Sequence, residues 1–363
     1  MTDYIISYTP YFKKNVVKEI SKIGNTSLVK NFDDSTALIS SDLEQEEFLS
    51  KLNESKPIFI KHICPAQKSG NIACNLDVDK KLILDKLLQE GYKVEPGEKF
   101  AIQARINGGG LEGQKLEYSS KDLEVYIGTY FTEAGGVPVF SDRRITAGEN
   151  IKVFSIFING TDFYIGNSMS NQNLNFACDE YRISSKAGGR EISRAENKLK
   201  EALAKYNINL GSQGGVALDI GAAPGGWTKV LVDHGYKVVA VDPGDLHPDL
   251  QNHPNVKHFK CRIEDLHFEN YFDIIVNDMN VDPQVTAEIM NSLVPCLKEN
   301  GVAVVTLKLP TNPNKGIEEG VAKLSEKFNV LSVNSLFHNR QEVTTYIQKK
   351  EMKAEAEDDS FEL

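Results

Sequence analysis

The chain has 363 residues, of which 40% are hydrophobic and 25% charged, and a formal net charge of −10. These values are typical of a globular protein of two or three domains, and they exclude a fully disordered or collagen-like chain. The acidic balance by itself argues against a generic nucleic-acid binder. We expect a cytoplasmic protein, because no uncharged apolar run reaches ~18 residues and no secretory signal is visible. The five cysteines form no C-x-x-C pair, so we expect reduced thiols and no metal site.

The first half of the chain predicts one or two small α+β modules. Apolar spacing and alternation predict these elements in chain order: strand 4–8, helix 13–23, strand 37–39, strand 100–106, helix 119–134 and a hairpin of 153–158 with 163–165. Ser119 and Asp122 are spaced as a capping box for the second helix, and Asn159-Gly160 supplies the hairpin turn. A polar segment, 167–194, follows and is interpreted as a linker or a long functional loop.

The second half predicts a parallel sheet with helices on both faces. Short apolar strands alternate with helices: strand 216–220, helix 227–233, strand 237–241, strand 272–276, helix 283–297 and strand 302–307. Near-continuous apolar strands indicate burial on both faces, so the fold class is α/β. The last segment, 351–363, is acidic and has little to bury, so we predict a flexible tail.

A glycine-rich turn joins the first strand of this half to its helix. It reads Asp219, Ile220, Gly221, Ala222, Ala223, Pro224, Gly225, Gly226 and Trp227. Glycines let a ligand approach the backbone, and the helix start offers free N–H groups. Asp242 ends the next strand, where a carboxylate can hold ribose hydroxyls. The turn is neither G-x-G-x-x-G nor a P-loop, and Asp219 suits a positive amino group, so S-adenosylmethionine is the expected cofactor.

Several motifs, taken with this turn, resemble the FtsJ-type RNA 2′-O-ribose methyltransferases. The quoted segments are 193–199 (SRAENKL), 277–279 (NDM), 306–310 (TLKLP) and 339–344 (NRQEVT). The last two are most similar to the RlmM branch, which modifies large-subunit ribosomal RNA, and 163–171 (FYIGNSMSN) resembles a segment of its N-terminal THUMP-type region. The similarity is strong from about residue 157 to 348 and weak before residue 100.

The resemblance implies a Rossmann-like methyltransferase domain preceded by an α+β RNA-binding region. The expected domains are a ferredoxin-like module (1–60), a THUMP-like domain (61–170), a basic linker (171–195), the methyltransferase domain (196–350) and the tail (351–363). The family's catalytic tetrad corresponds to Lys198, Asp278, Lys308 and Glu342. Lys308 is then the general base, and Asp278 orients it beside the methyl donor.

A lysine can act as this base only when it is neutral. Free lysine has a pKa of ~10.4, and burial or a second cation lowers it, so the sequence predicts a lowered pKa for Lys308. Two positions depart from the family pattern. Arg262 stands where an acidic residue near adenine is expected, which leaves Asp265 as the candidate there, and Asn280 replaces the alanine of the common "DMAP" form.

The expected RNA path runs through a segment with a net charge of +4, residues 182–200, and its candidate contacts are Arg182, Lys186, Arg190 and Arg194. Residues 1–200 carry a net charge of −1 and residues 201–363 carry −9, so most of the acidity lies away from this path. Two alternatives remain open: a tRNA ribose methyltransferase, and a non-catalytic RNA-binding protein that retains the fold. A nicotinamide oxidoreductase is disfavoured because Ala223 and Pro224 crowd the turn.

Overall fold

The computed structural model describes residues 1–109, 116–139, 150–174, 191–208, 210, 214–309 and 311–351. The chain divides into two compact units. The N-terminal unit comprises residues 1–189 together with 334–340, and the C-terminal unit comprises residues 190–333 together with 341–363. No helix among the described residues is both long enough and apolar enough to cross a membrane.

The N-terminal unit contains two sheets. The first has four antiparallel strands in the order β2-β3-β1-β4: β1 (Thr2–Tyr8), β2 (Ser27–Asn31), β3 (Thr36–Ser41) and β4 (Ile60–Pro65). Its helices are α1 (Lys13–Ile20) and α2 (Gln45–Glu54). Because β4 pairs with β1, the first sheet includes residues beyond position 60, up to Pro65.

The second sheet has five strands in the order β5-β9-β8-β6-β7. Its elements are β5 (Lys68–Asn71), α3 (Leu76–Gln89), β6 (Lys99–Gly109), α4 (Ser120–Glu133), β7 (Val137–Pro138), β8 (Lys152–Gly160) and β9 (Asp162–Met169). The expected hairpin is β8 with β9, which pair in antiparallel register. The expected cap of α4 is present, with the Ser119 backbone N–H donating to the Asp122 carboxylate at 2.7 Å.

The C-terminal unit is built on a seven-stranded sheet in the order β12-β11-β10-β13-β14-β16-β15. Its elements are α5 (Ala195–Lys205), β10 (Val216–Ile220), α6 (Gly226–Asp233), β11 (Lys237–Val241), α7 (Pro248–Gln251), β12 (Val256–Phe259), β13 (Phe272–Asn277), α8 (Pro283–Ser292), β14 (Leu297–Lys308), α9 (Pro313–Leu324), β15 (Phe328–Asn334) and β16 (Glu342–Lys349). The strands from β10 to β14 pair in parallel, and β16 is antiparallel to β14. This is a Rossmann-like α/β fold, as the sequence predicted.

One helix is shorter than the sequence predicted. The helix expected over 283–297 ends at Ser292, a 3₁₀ turn follows at Val294–Cys296, and β14 begins at Leu297. Pro295 has no backbone N–H to continue the helical hydrogen bonds, which explains the early end. Cys296 is buried, as expected of a structural thiol, and burial raises the pKa of its thiol.

The strand order reverses between β10 and β13, and ligands bind beyond the carboxyl ends of the strands at such a reversal. Gly221 follows β10 and Met279 lies just beyond β13. Gly221 has a φ of +72°, and a Cβ built on it would lie 2.6 Å from the Met279 Cγ. The two loops therefore meet so closely that only glycine fits, which places the glycine-rich turn and the Asp278 segment side by side.

Candidate active site

The glycine-rich turn is fixed by hydrogen bonds from its backbone N–H groups to the end of β11 and to Asp242. The N–H of Gly221 donates to the Val241 carbonyl at 3.0 Å, which ties the turn to the end of β11. The carboxylate of Asp242 accepts from the N–H of Ala223 at 3.2 Å and from that of Gly244 at 2.7 Å. The Ala223–Pro224 peptide bond is cis. Asp242 is thus already fixed by the turn, with part of its surface exposed where a ribose could bind.

Asp219 lies beneath the turn, where only 1% of its surface is exposed. Its Oδ2 accepts a hydrogen bond from the Thr228 hydroxyl at 2.6 Å. Burial raises the pKa of Asp219 to about 7, and the charges of Asp278 and Asp242 add to this effect against the Thr228 hydrogen bonds. Three carboxyl groups therefore converge on this edge of the sheet. A ligand with positive charge would relieve their repulsion, so the donor set fits S-adenosylmethionine, which carries an ammonium and a sulfonium.

Trp227 and Gly226 attach the turn to α5. The Trp227 indole is 3% exposed and donates from Nε1 to the Ala195 carbonyl at 2.7 Å. A Cβ on Gly226 would lie 2.2 Å from the Ser193 Oγ. These contacts give Trp227 and Gly226 a role in fixing the turn, and a direct contact of either with the cofactor stays a prediction.

The four residues of the expected tetrad come together at the same edge. Lys308 Nζ lies 2.7 Å from Asp278 Oδ1 and 2.6 Å from Glu342 Oε2. Lys198 Nζ lies 3.0 Å from Asp278 Oδ2 and 2.7 Å from Glu342 Oε1. Each ammonium bridges both carboxylates, and each carboxylate binds both ammoniums.

The sheet explains why these residues meet. Lys308 is the last residue of β14 and lies opposite Glu342, the first residue of β16, in the antiparallel register. Asp278 directly follows β13, the parallel neighbour of β14. Lys198 reaches the group from α5. The side chains of the four residues are 9% to 16% exposed, so solvent screens their attraction only weakly.

The electrostatics differ from the expectation in one respect. The pKa of Lys308 is raised, whereas the sequence predicted that it would be lowered. Burial does act to lower it, but the combined attraction of Asp278 and Glu342 outweighs that effect. Burial likewise acts to raise the pKa of Glu342, and the two lysines outweigh it, so this pKa is lowered. In the free protein Lys308 is therefore a paired ammonium.

Thr306 is a member of the site that sequence reasoning missed. Its side chain is fully buried, and its hydroxyl donates to Asp278 Oδ1 at 2.8 Å. The signal was available, because residues two apart on a strand face the same side and Thr306 precedes Lys308 by two. Asp278 Oδ1 thus receives hydrogen bonds from Thr306, Lys308 and Lys198, the last at 3.3 Å.

The remaining candidate residues are less constrained. Arg262 precedes the 3₁₀ turn Ile263–Asp265 that follows β12, Asp265 ends it, and both residues are exposed. Arg194 is exposed and stands at the N-terminus of α5. The other proposed RNA contacts, Arg182, Lys186 and Arg190, lie outside the described residues.

Part of the chain is similar to known methyltransferases. Residues 192–312 match the family model of the FtsJ-like methyltransferases. A ribosomal RNA large subunit methyltransferase M of Laribacter hongkongensis is 34% identical over 174 residues, covering 43% of this chain and 48% of that protein. One of the same name from a Marinomonas species is 25% identical over 370 residues, covering 93% of this chain and 97% of that protein. An uncharacterised protein of Methanocaldococcus jannaschii is 27% identical and covers 84% of this chain and 86% of its own length.

The chain thus aligns with about half the length of the Laribacter relative and with nearly all of the Marinomonas one. The family match contains the glycine-rich turn and three of the four clustered residues. Residues 192–312, about a third of the chain, are similar to the FtsJ-like methyltransferases, the site beside the glycine-rich turn fits S-adenosylmethionine as cofactor, and the chain is similar to the ribosomal RNA large subunit methyltransferases M.

Proposed function

We propose that this protein methylates a ribose 2′-hydroxyl of RNA, and specifically of 23S ribosomal RNA, with Lys308 as general base. The observation that carries the proposal is the closed cluster of Lys198, Asp278, Lys308 and Glu342 at the cofactor edge. The relatives named as ribosomal RNA large subunit methyltransferases support the choice of RNA.

The chemistry requires a base more than it requires a nucleophilic side chain. S-adenosylmethionine supplies an electrophilic methyl group on a positively charged sulfur. A ribose hydroxyl is a poor nucleophile until its proton leaves, and a positioned base within ~3 Å can take that proton. Lys308 contacts the two carboxylates at 2.6 and 2.7 Å, against 2.7 and 3.0 Å for Lys198, and these contacts fix the direction of its amine. Lys198 and Glu342 then position the ribose and set the charge of Lys308.

The charge of the cluster explains how Lys308 becomes a base. Two ammoniums and two carboxylates sum to zero, and in this state the raised pKa of Lys308 keeps it protonated. Loss of one proton leaves the cluster with a charge of −1, which complements a cationic cofactor beside it. We therefore expect the rate of methyl transfer to rise with pH above neutrality, until the proton of Lys308 is lost.

The N-terminal unit is proposed to recognise the RNA. Its two α+β sheets are compatible with the ferredoxin-like and THUMP-type modules that the resemblance implies, divided near Pro65. Arg194 and the adjoining segment 182–190 are the proposed link between recognition and catalysis, because cations there would guide the RNA backbone to the site.

The test is transfer of a labelled methyl group from S-adenosylmethionine to total RNA, followed by separation of ribosomal and transfer RNA and alkaline hydrolysis. A 2′-O-methyl group removes the nucleophile that cleaves the neighbouring bond, so the label should survive in dinucleotides. Label found only in mononucleotides would reject ribose methylation, and label confined to transfer RNA would reject the ribosomal substrate.

The variant Lys308→Ala assigns the base. We expect transfer to fall at least ~100-fold while S-adenosylmethionine still binds. Lys298→Ala is the matched control, since Lys298 lies on the same strand and pairs with Asp273 away from the cluster. Wild-type transfer by a Lys308→Ala protein that binds the cofactor would show that Lys308 is not the base.

A further inference from the structure

The first helix of the N-terminal unit carries an unusual concentration of positive charge. Residues 13–22, which comprise α1 and the start of the following turn, contain four lysines and a single acidic residue, Glu19, in a chain whose net charge is −10. This segment is positively charged in an acidic chain, so the surroundings of its lysines matter. The structure shows these surroundings for α1 and the turn that follows.

The lysines lie on the outer side of α1. Phe12, Val16 and Ile20 are 0% to 1% exposed, which defines the buried side of the helix. Lys14 and Lys18, four residues apart, are exposed on the outer side. Lys22, in the turn after the helix, is exposed as well. We call Lys14, Lys18 and Lys22 the basic face.

Glu19 does not offset the charge of this face. Its carboxylate points inward, where it accepts hydrogen bonds from the backbone N–H groups of Ile58 at 2.7 Å and Phe59 at 3.1 Å. Burial raises the pKa of Glu19 to about 7, against the opposing effect of these hydrogen bonds and of Lys22. The one acid of the segment is therefore used as an internal anchor and is partly neutral at physiological pH.

The basic face also differs from the other lysine-bearing helices of the unit. On α2 and α3, three of the four lysines are paired with acids three or four residues away: Lys51 with Glu47, Lys80 with Asp77, and Lys86 with Glu90. Across the part of the chain that the structure describes, no ion pair includes a lysine of the basic face. Like charges four residues apart destabilise a helix slightly, so the arrangement has a cost, which the attraction between Lys22 and the inward-facing Glu19 offsets only in part. A polyanion bound along the face would remove that cost.

We propose that the basic face of α1 binds the phosphate backbone of the RNA substrate. Lysine is a compact point charge that suits phosphates without reading sequence, so the face contributes affinity and orientation, not specificity. The proposal rests on the proposed function for the identity of the substrate. Binding can nevertheless be measured apart from methyl transfer, so each can fail without the other.

The experiment compares two triple variants of the full-length chain. Lys14→Gln/Lys18→Gln/Lys22→Gln removes the basic face, and Lys51→Gln/Lys80→Gln/Lys86→Gln removes the same formal charge from the paired lysines. The dissociation constant for a large-subunit RNA fragment is measured by fluorescence anisotropy across a range of salt concentrations, with circular dichroism to check folding. Each phosphate contact contributes ~0.7–0.9 to the slope of log affinity against log salt.

We expect the basic-face variant to lower that slope by about 2 to 3 and to weaken binding at low salt by ~10- to 100-fold. The control variant should bind within ~3-fold of the wild type and keep the wild-type rate of methyl transfer. Equal slopes, or equal losses in the two variants, would overturn the proposal. Binding to phosphatidylserine vesicles is measured in parallel. If the basic-face variant keeps its RNA affinity but loses vesicle binding, the proposal is overturned and the face is assigned to a membrane surface. If the basic-face variant shows the lower slope but the wild-type chain has no methyltransferase activity, the proposal for the basic face stands and the proposed function is refuted.

Discussion

The hydroxyl of Thr306 offers the sharpest test of how the active site works. Thr306 donates to Asp278 Oδ1 at 2.8 Å from a fully buried position, and the same oxygen accepts from Lys308 at 2.7 Å. We expect that Thr306→Val, which keeps the branched shape and removes the hydroxyl, leaves the fold intact. Thr306 would then be a positioning residue, since it acts on the base only through Asp278.

The magnitude follows from the hydrogen bond. A hydrogen bond to a charged group contributes ~1.5–3 kcal/mol, and one pKa unit corresponds to ~1.4 kcal/mol. Without the hydroxyl, Asp278 attracts the Lys308 ammonium more strongly and raises a pKa that is already raised. Since part of the hydrogen bond energy is lost to relaxation, we expect a further rise in that pKa of about one unit. At a fixed pH below this pKa, the neutral fraction of Lys308 and hence the rate would fall ~10-fold.

The assay is the pH dependence of kcat for the wild type, Thr306→Val and Thr306→Ser, together with the affinity of each for S-adenosylmethionine. The rising limb should move to higher pH by about one unit in the valine variant and return in the serine variant, which restores a donor. Cofactor affinity should stay within ~3-fold, because Thr306 is proposed to act on the base. An unshifted limb in the valine variant would refute the reasoning, as would a serine variant as impaired as the valine one.

Two further predictions concern the glycine-rich turn. Burial raises the pKa of Asp219 to about 7 in the folded state, so its contribution to stability is full below ~4 and is lost as the pH rises towards 7. Asp219→Asn should remove this loss, so the free energy of unfolding in urea should fall less between pH 5 and 7 for the variant than for the wild type. The same pH dependence of this free energy in both proteins would contradict a raised pKa for Asp219. Gly221→Ala should weaken S-adenosylmethionine binding at least ~10-fold by calorimetry, because the new Cβ would lie 2.6 Å from the Met279 Cγ. Gly235→Ala is the control, since Gly235 also has a positive φ, +83°, but nothing lies within 4 Å of its Cβ, and equal losses in both variants would show that backbone strain alone is responsible.

Much of the C-terminal fold could be predicted because its signals are local. The strand at 216–220 and the strand at 237–241 have in the structure the bounds that apolar runs predicted. The glycine-rich turn was also readable, since glycine and proline restrict the backbone by their own chemistry. Where two local signals competed, as at Pro295, the longer helical pattern misled and the proline decided the helix end.

The roles of single residues in the turn were harder to predict. Asp219 and Trp227 belong to a motif that suggests ligand contacts, yet both are almost fully buried and bond to Thr228 and to the Ala195 carbonyl. A sequence motif identifies the residues that a site requires. It does not separate those that contact the ligand from those that hold the contacting residues in place, because that difference depends on the packing of α5 against the turn.

The charge state of Lys308 could not be predicted from the sequence. The motifs identify two lysines and two carboxylates, and from burial and a neighbouring lysine one expects a lowered pKa. The structure shows that each lysine lies between both carboxylates, and two attractions at 2.6 and 2.7 Å outweigh the burial of one amine. The sign of the shift depends on these distances, which residue identities alone do not contain. A cluster of this kind keeps Lys308 protonated in the free protein. Lys308 can accept a proton only after the charge around it changes. The proposed activity therefore depends on the binding of a cationic cofactor beside the carboxyl groups of Asp219, Asp242 and Asp278.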